Sequence, residues 1–442
     1  MLSRAAYLSF ALYLIVMLGT NSVARTGGAL TWLPLLRLPA GDGNWEVIGA
    51  LALLPAVSAV AWLAVRARAG SLRAIDWGWR RVAWPLAVLA AAGLLNSIAH
   101  ILRGDGSAAT LIRLIILLVH LAWVYLYFVN EKPDLLWIIA AVIAIQSLVA
   151  IGQFIAQRDL GLFLLGEPVL DPQTSGISIV MRGSERWLRG YGLATHPNTL
   201  AGTLVTMLAL LLALERDKSR ARRWLGGAIF ALGFAALLTT LSRSAAVSMG
   251  LVLVANFLPW LRDGLQHRRW GRPPITAGAW LAAIVIGGLF VAIYGDALSG
   301  RVVGLETPIE SRSLSERGRD TGISLEIISQ YPVLGVGLGD YLTVATQYDP
   351  EARLVHNVPL HLAAEIGLAG LMVWVLLLVS PLLRRGALGH HAAVTGLWLG
   401  FWLLGVLQPA PNPLYELRSV LLAGLVAGVM AQSIDESNHI DS

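Results

Sequence analysis

Apolar residues in this chain come in long, nearly charge-free runs rather than at the spacing of half-buried helices. Stretches such as "LIRLIILLVHLAWVYLYFV" and "LWIIAAVIAIQSLVAIGQFIA" match the roughly 20 residues that a helix needs to cross a bilayer. Taken in order, the runs predict about twelve spans, at 5–24, 47–65, 82–101, 109–129, 135–157, 194–214, 224–241, 244–261, 275–294, 357–383, 392–410 and 417–433. The first run is long and has no small-x-small cleavage site after it, so it reads as a helix rather than a signal peptide. The expected fold class is an all-α polytopic membrane protein.

The loops then alternate sides. "RARAGSLRAIDWGWRR", "NEKPD", "ERDKSRARR", "RDGLQHRRWGRPP" and "RRGALGHH" share one side and carry the basic clusters of the short loops. The positive-inside rule places them, and both termini, in the cytoplasm. On the other side lie two segments too long to be simple connectors, 158–193 and 295–356. The second holds helical material, "SLSERGRDTGISLEIISQY", and then a Gly-punctuated turn, "PVLGVGLGDY". It reads as a small helical cap outside the membrane, on a chain that forms one integral membrane domain over 1–442.

Composition agrees with the pattern. The 442 residues are 56% hydrophobic and 14% charged, with a mean hydropathy of +0.67. Too few charges are present to cover the apolar area of a soluble protein of this size. Cysteine is absent, which excludes disulfides and thiol chemistry. The net charge of +6 reflects topology and contact with anionic lipid head groups, not nucleic acid.

The chemistry-bearing residues collect on the outer side, next to span ends. Arg243 lies in "LTTLSRSAAV", where two spans are joined by almost nothing. Taken alone, such an arginine more often snorkels to the interface. Together with Arg189, Arg319 and, as a further contact, Arg103, it suggests a site for a pyrophosphate head group. Guanidinium presents a planar fork of donors and keeps its charge. "THPN" opens a span at about 195, with Thr195 as a candidate cap and Pro197 tolerated in the first turn. His196 and Asn198 fit binding or supporting roles there, and a plain helix start explains them equally well. His356 stands at the mouth of "VHNVPLHLAAEIGLAGL", where a histidine can act as general base. Asn357 follows it, and His361 and Glu365 share one helical face four residues apart. Those two suit a packing pair as well as a direct role. Arg113, His120, Glu416 and Arg418 read as structural contacts within the bundle. "GVGLGD" is a lone Gly-rich turn and reads as backbone geometry. No metal-spaced set of His, Asp and Glu occurs, so the expectation is a reaction without metal or cofactor.

Four stretches in order, "RGYGLATHPNTLAG", "LTTLSRSAA", "GRDTGISLEIISQYPVLGVGLGDY" and "HNVPLHLAAEIGLAGL", resemble the O-antigen ligase and polymerase superfamily of bacterial membrane glycosyltransferases. The resemblance spans roughly 185–375 and is closest to O-antigen ligase. It implies a GT-C-like multi-span architecture in the bacterial inner membrane, with the active site facing the periplasm. It also implies an undecaprenyl-pyrophosphate-linked glycan as donor. In a ligase the acceptor is the lipid A–core oligosaccharide; in a polymerase it is another lipid-linked repeat. The family's outward arginines and its histidine map onto Arg189, Arg243, Arg319 and His356, with Arg186 and Arg317 as neighbouring alternatives. The implied reaction is inverting: His356 takes a proton from the acceptor hydroxyl while the arginines bind the departing pyrophosphate. Two other classes stay open. A multi-span transporter would show repeated halves and discontinuous helices, and a non-catalytic scaffold would tolerate replacement of these side chains.

Overall fold

The computed structural model describes residues 2–20, 34–39, 45–49, 54–214, 219–267, 275–302, 308–383, 392–412 and 414–438. Fourteen α-helices lie among them. In chain order they are α1 (Leu2–Gly19), α2 (Leu54–Arg68), α3 (Arg80–Arg103), α4 (Ala108–Glu131), α5 (Leu136–Ala156), α6 (Pro197–Leu214), α7 (Arg220–Thr239), α8 (Arg243–His267), α9 (Ile275–Val302), α10 (Pro308–Gln330), α11 (Tyr341–Tyr348), α12 (Val358–Val379), α13 (Ala392–Leu407) and α14 (Leu417–Asn438). Two short antiparallel hairpins join them: β1 (Pro34–Pro39) with β2 (Trp45–Gly49), and β3 (Ile179–Arg182) with β4 (Glu185–Leu188).

A helix occupies each apolar run, yet the runs are not equal. Eight, α3 to α9 and α12, are long and apolar enough to cross a membrane. Three others, α1, α13 and α14, are apolar but shorter, and α2 has 15 residues. The second run begins as strand rather than helix, because Trp45–Gly49 pairs with Pro34–Pro39. The helix expected near 313–331 runs over Pro308–Gln330. Residues 303–307 of the long 295–356 segment lie outside the described residues.

Burial separates the centre from the lipid face. Of α6, 83% is buried, against 6% of Gly278–Ser299 in α9. An apolar helix that packs on so little protein needs lipid around it. In central α6 the Thr203 and Thr206 hydroxyls donate to the Thr199 and Gly202 carbonyls (3.0 and 2.8 Å), so two buried polar groups are satisfied within the helix. The charges expected to be structural behave so. Arg113 donates to the Tyr415 carbonyl and His120 bonds Tyr13. Arg418 reaches the Thr20 carbonyl (2.9 Å) and Glu416 takes the Ser419 hydroxyl (2.6 Å).

Candidate functional site

The chain at 189–193 lies along the polar face of α5. Gln146 and Gln153, two turns apart and fully buried, hold it by their side-chain amides. Gln146 accepts from Leu193 N (2.9 Å), and Gln153 accepts from Tyr191 N (3.1 Å) and donates to Gly192 O (2.9 Å). On its other side Gly190 N donates to Thr239 O at the end of α7 (2.9 Å). A Cβ at Gly190 would stand 2.3 Å from the Thr239 hydroxyl, so only glycine permits the approach. This is the physical reason for "RGYG".

That approach delivers Arg189, 2% exposed, into the bundle. Its guanidinium donates to Thr240 O (2.6 Å), Ser178 Oγ (2.7 Å) and Asn198 Oδ1 (2.9 Å). These partners are neutral and come from three separate stretches. One of them, Thr240, lies in the three-residue link to α8, whose first residue is Arg243. Arg189 therefore ties "RGYG" to "THPN" and to the Ser-Arg turn. Half-buried Arg243 and buried Ser242 are the polar members of an otherwise aliphatic and aromatic cavity of ≈ 420 Å³ between α7, α8 and α9. At the start of α6 the cap is His196, not Thr195. The His196 ring Nδ1 accepts from Asn198 N (3.1 Å) and its carbonyl from Leu200 N (3.1 Å), while Thr195 is exposed. Pro197 holds the first helical position, where no N–H is required.

The link between α13 and α14 joins this cluster to the mouth of α12. Ala410 and Pro411 line a cleft with Asn198 and Thr199. The neighbouring Asn412 amide bonds His361 Nδ1 (3.1 Å). Asn357 caps α12 by accepting from Leu360 N (2.8 Å), and its amide donates to Val406 O (3.1 Å) at the end of α13. The starts of α6, α8, α12 and α14 thus meet at one end of the bundle. Two helix N-termini, those of α6 and α12, flank the same loop, each with partial positive charge.

α12 is broken. Ile366 and Gly367 leave helical geometry, and the turn 331–340 fills the gap. Val336 N and Gly337 N donate to the carbonyls of Ala364 and Glu365 (2.9 and 3.0 Å), and Leu368 N donates to Pro332 O (2.9 Å). Three backbone groups at the break, the carbonyls of Ala364 and Glu365 and the Leu368 N–H, find partners in this turn, as an apolar environment favours. "GVGLGD" is therefore a backbone device, as read. A Cβ at Gly335 would come within 2.4 Å of the Glu365 backbone. Glu365 Oε1 accepts from Gly339 N (3.0 Å) and lies 3.2 Å from His361 Nε2. From α3, Asn96 bonds Leu334 O and Leu338 N (2.6 and 3.1 Å). His361 and Glu365 form the packing pair and also staple the turn. Arg103 ends α3 and is exposed.

His356 is half-buried, and its Nδ1 meets no hydrogen-bond partner among the described residues. Its pKa is lowered to about 4, first by burial and then by the positive charges of Arg317 and Arg353, against the opposing Glu316. The ring stays neutral, and so able to accept a proton, across the physiological range. Arg319, two residues after Arg317 on α10, faces carboxylates. Its guanidinium lies near Asp349 (3.3 Å), Asp320 (3.5 Å) and Glu351 (3.5 Å), and donates to Glu351 O (2.7 Å). Arg353, whose N–H reaches Asp320 (3.3 Å), pairs with Glu316 (3.2 Å). Among the described residues no three His, Asp or Glu side chains converge as a metal site would require.

The fold is that of a multi-pass helical membrane protein, with Arg243 and His356 placed next to the starts of α8 and α12. Residues 228–375, about a third of the chain, match the family described as O-antigen ligase. The match takes in Arg243, Arg317, Arg319, His356, His361 and Glu365; Arg189, His196 and Asn198 precede it. No curated protein matches the chain. Sequence reasoning passed over Gln146, Gln153, Asn96 and Asn412. Two glutamines seven residues apart in an otherwise apolar span were the available signal.

Proposed function

We propose that this protein transfers a glycan from an undecaprenyl-pyrophosphate carrier to the lipid A–core oligosaccharide, at the periplasmic face of the bacterial inner membrane. O-antigen ligase-type activity in general is what the family match supports. The finer reading rests on one observation above all: contacts link the "RGYG", "THPN" and Ser-Arg stretches through the 408–416 loop to the mouth of α12, where His356 is neutral and beside Arg317.

In this reading the acceptor hydroxyl attacks the anomeric carbon on the side opposite the pyrophosphate. The hydroxyl proton passes to His356, the bond from anomeric carbon to pyrophosphate oxygen breaks, and the configuration inverts. Arg243 and Arg317 stabilise the charge that develops on the departing diphosphate, with the α6 and α12 N-termini adding oriented N–H groups. Arg189 holds these elements in register and supplies positive potential, while Arg319 ties α10 to the residues after α11 through Asp349 and Glu351. About twelve spans, cytoplasmic termini and a cap built from α10 and α11 complete the arrangement. The carrier's first isoprene units enter the apolar cavity beside Arg243. A broken helix is also a transporter trait; here the 331–340 turn occupies the carbonyls of Ala364 and Glu365 that an ion would need.

The test is purified protein given both lipid substrates. His356→Ala is expected to abolish transfer while the protein remains folded and still binds donor; near-normal turnover would remove His356 as base. Deleting the gene distinguishes the acceptor. Polymer accumulating on its carrier supports ligase, and single repeats would support polymerase.

A further inference from the structure

Residues 160–169 belong to a segment that topology assigns to water, yet they have the surface of a membrane-inserted element. Phe163, Leu164, Leu165 and Val169 are 44, 67, 40 and 72% exposed, with no charge between Leu160 and Gly166. After α5 ends at Ala156 the chain folds back along the helix. Leu160 packs on Gly152, one turn inside α5, so closely that a Cβ there would stand 2.8 Å from Leu160 Cδ1. Gly152 lies between Leu148 and Ile155, which are 62 and 67% exposed on the same face. The returning segment thus continues an exposed apolar stripe of α5, a surface suited to acyl chains.

The backbone is prepared for such surroundings. Glu167, 5% exposed, accepts from Leu160 N (2.8 Å) and Leu162 N (2.6 Å). Leu165 N and Gly166 N bond Leu162 O and Phe163 O (2.9 and 3.0 Å). Asp159 and Leu170 close the base, with Leu170 N bonded to the Asp159 carboxylate (3.1 Å). A solvated loop has water for these amides and gains little from a buried carboxylate. Glu167 also accepts from Gln153 Nε2 (2.7 Å), the same amide that holds Gly192, three residues from Arg189.

We propose that residues 160–169 form an apolar hook seated in the acyl chains beside α5, and that it fixes the depth of the Arg189 strand relative to the lipid phosphates. The occupant is bilayer lipid, because the hook continues the lipid-facing stripe of α5. The consequence for turnover rests on the transferase reading; the insertion does not.

The absence of cysteine makes the test direct. Leu164→Cys and Val169→Cys proteins, with Ser175→Cys as an exposed control beyond the base, are nitroxide-labelled and reconstituted in phospholipid vesicles. Oxygen is expected to relax the labels at 164 and 169 several-fold more than a water-soluble nickel chelate does, with the reverse at 175. Greater access for nickel at 164 and 169 overturns the hook, and so does shielding from both reagents, which would mean a second copy or another protein covers it. Leu164→Glu, folded as judged by size-exclusion elution, is expected to lower transfer several-fold. Unchanged transfer would overturn the depth-setting role whatever the label accessibilities.

Discussion

Arg189 Nη2 and Asn198 Oδ1 lie 2.9 Å apart, and this one bond locks the strand that precedes α6 to the first turn of α6 itself. With the bonds to Thr240 and Ser178, it makes a single guanidinium the junction of three stretches. Lysine keeps the charge but offers no fork of fixed donors. Arg189→Lys is therefore expected to lower both transfer and thermal stability, because at least one of the three oxygens loses its donor. Each such buried group left unmet costs roughly 1–3 kcal/mol. Thermal denaturation in detergent beside a turnover assay checks this; a variant that kept wild-type stability would mean that charge alone matters at 189.

In the proposed mechanism His356 sets the acid limb of activity. A general base must be deprotonated, and burial with two nearby guanidiniums holds this ring at a pKa of about 4. The kcat/KM of the wild type should therefore stay flat from neutrality downward and fall only as the pH approaches 4, not 6.5. His356→Ala should lose roughly 100-fold or more, the usual worth of general base catalysis, and lose that limb. A limb at 6.5 in the wild type would contradict the buried, cation-flanked setting.

Arg317 and Arg319 separate cleanly by this measurement. Removing the positive charge of Arg317 takes away a cause that lowers the His356 pKa, so the pKa rises toward its ordinary 6.5. Since the active form is neutral, Arg317→Gln should move the acid limb to higher pH and also reduce the maximum rate. Arg319 meets Asp320, Asp349 and Glu351 and is not among the charges acting on His356. Arg319→Gln should leave the limb in place. Equal shifts for both variants would refute the division of roles.

The helices were legible because uninterrupted apolar runs have few alternatives in a membrane, and the same runs placed Arg243 and His356 beside the starts of α8 and α12. What escaped reading was the discrimination between near neighbours. Arg317 and Arg319 stand two residues apart on α10, and the carboxylates of Asp349 and Glu351, some thirty residues on, show what holds Arg319. Thr195 looked the better cap by residue type, but a histidine nitrogen took the role at 196. Around the break in α12 the sequence holds two glycines, Gly367 and Gly370, and nothing in it marks Gly367 as the one that leaves helical geometry. The cause of the break lies in a different stretch, the 331–340 turn that enters the gap.

That break supplies the sharpest stability contrast. Gly367 has φ +74, and a Cβ there would stand 2.1 Å from Val333 O. Gly367→Ala must therefore push the 331–340 turn out of the gap as well as accept a strained backbone, which alone costs roughly 1–3 kcal/mol. With the turn displaced, the Ala364 and Glu365 carbonyls lose the N–H groups of Val336 and Gly337. Glu365→Gln, in contrast, keeps a side-chain oxygen for Gly339 N and should be tolerated far better. Hydrogen exchange of the Val336 and Gly337 amides reads the difference: both are expected to lose protection in Gly367→Ala and to keep it in Glu365→Gln. Retained protection in the alanine variant would show that the turn does not depend on the break.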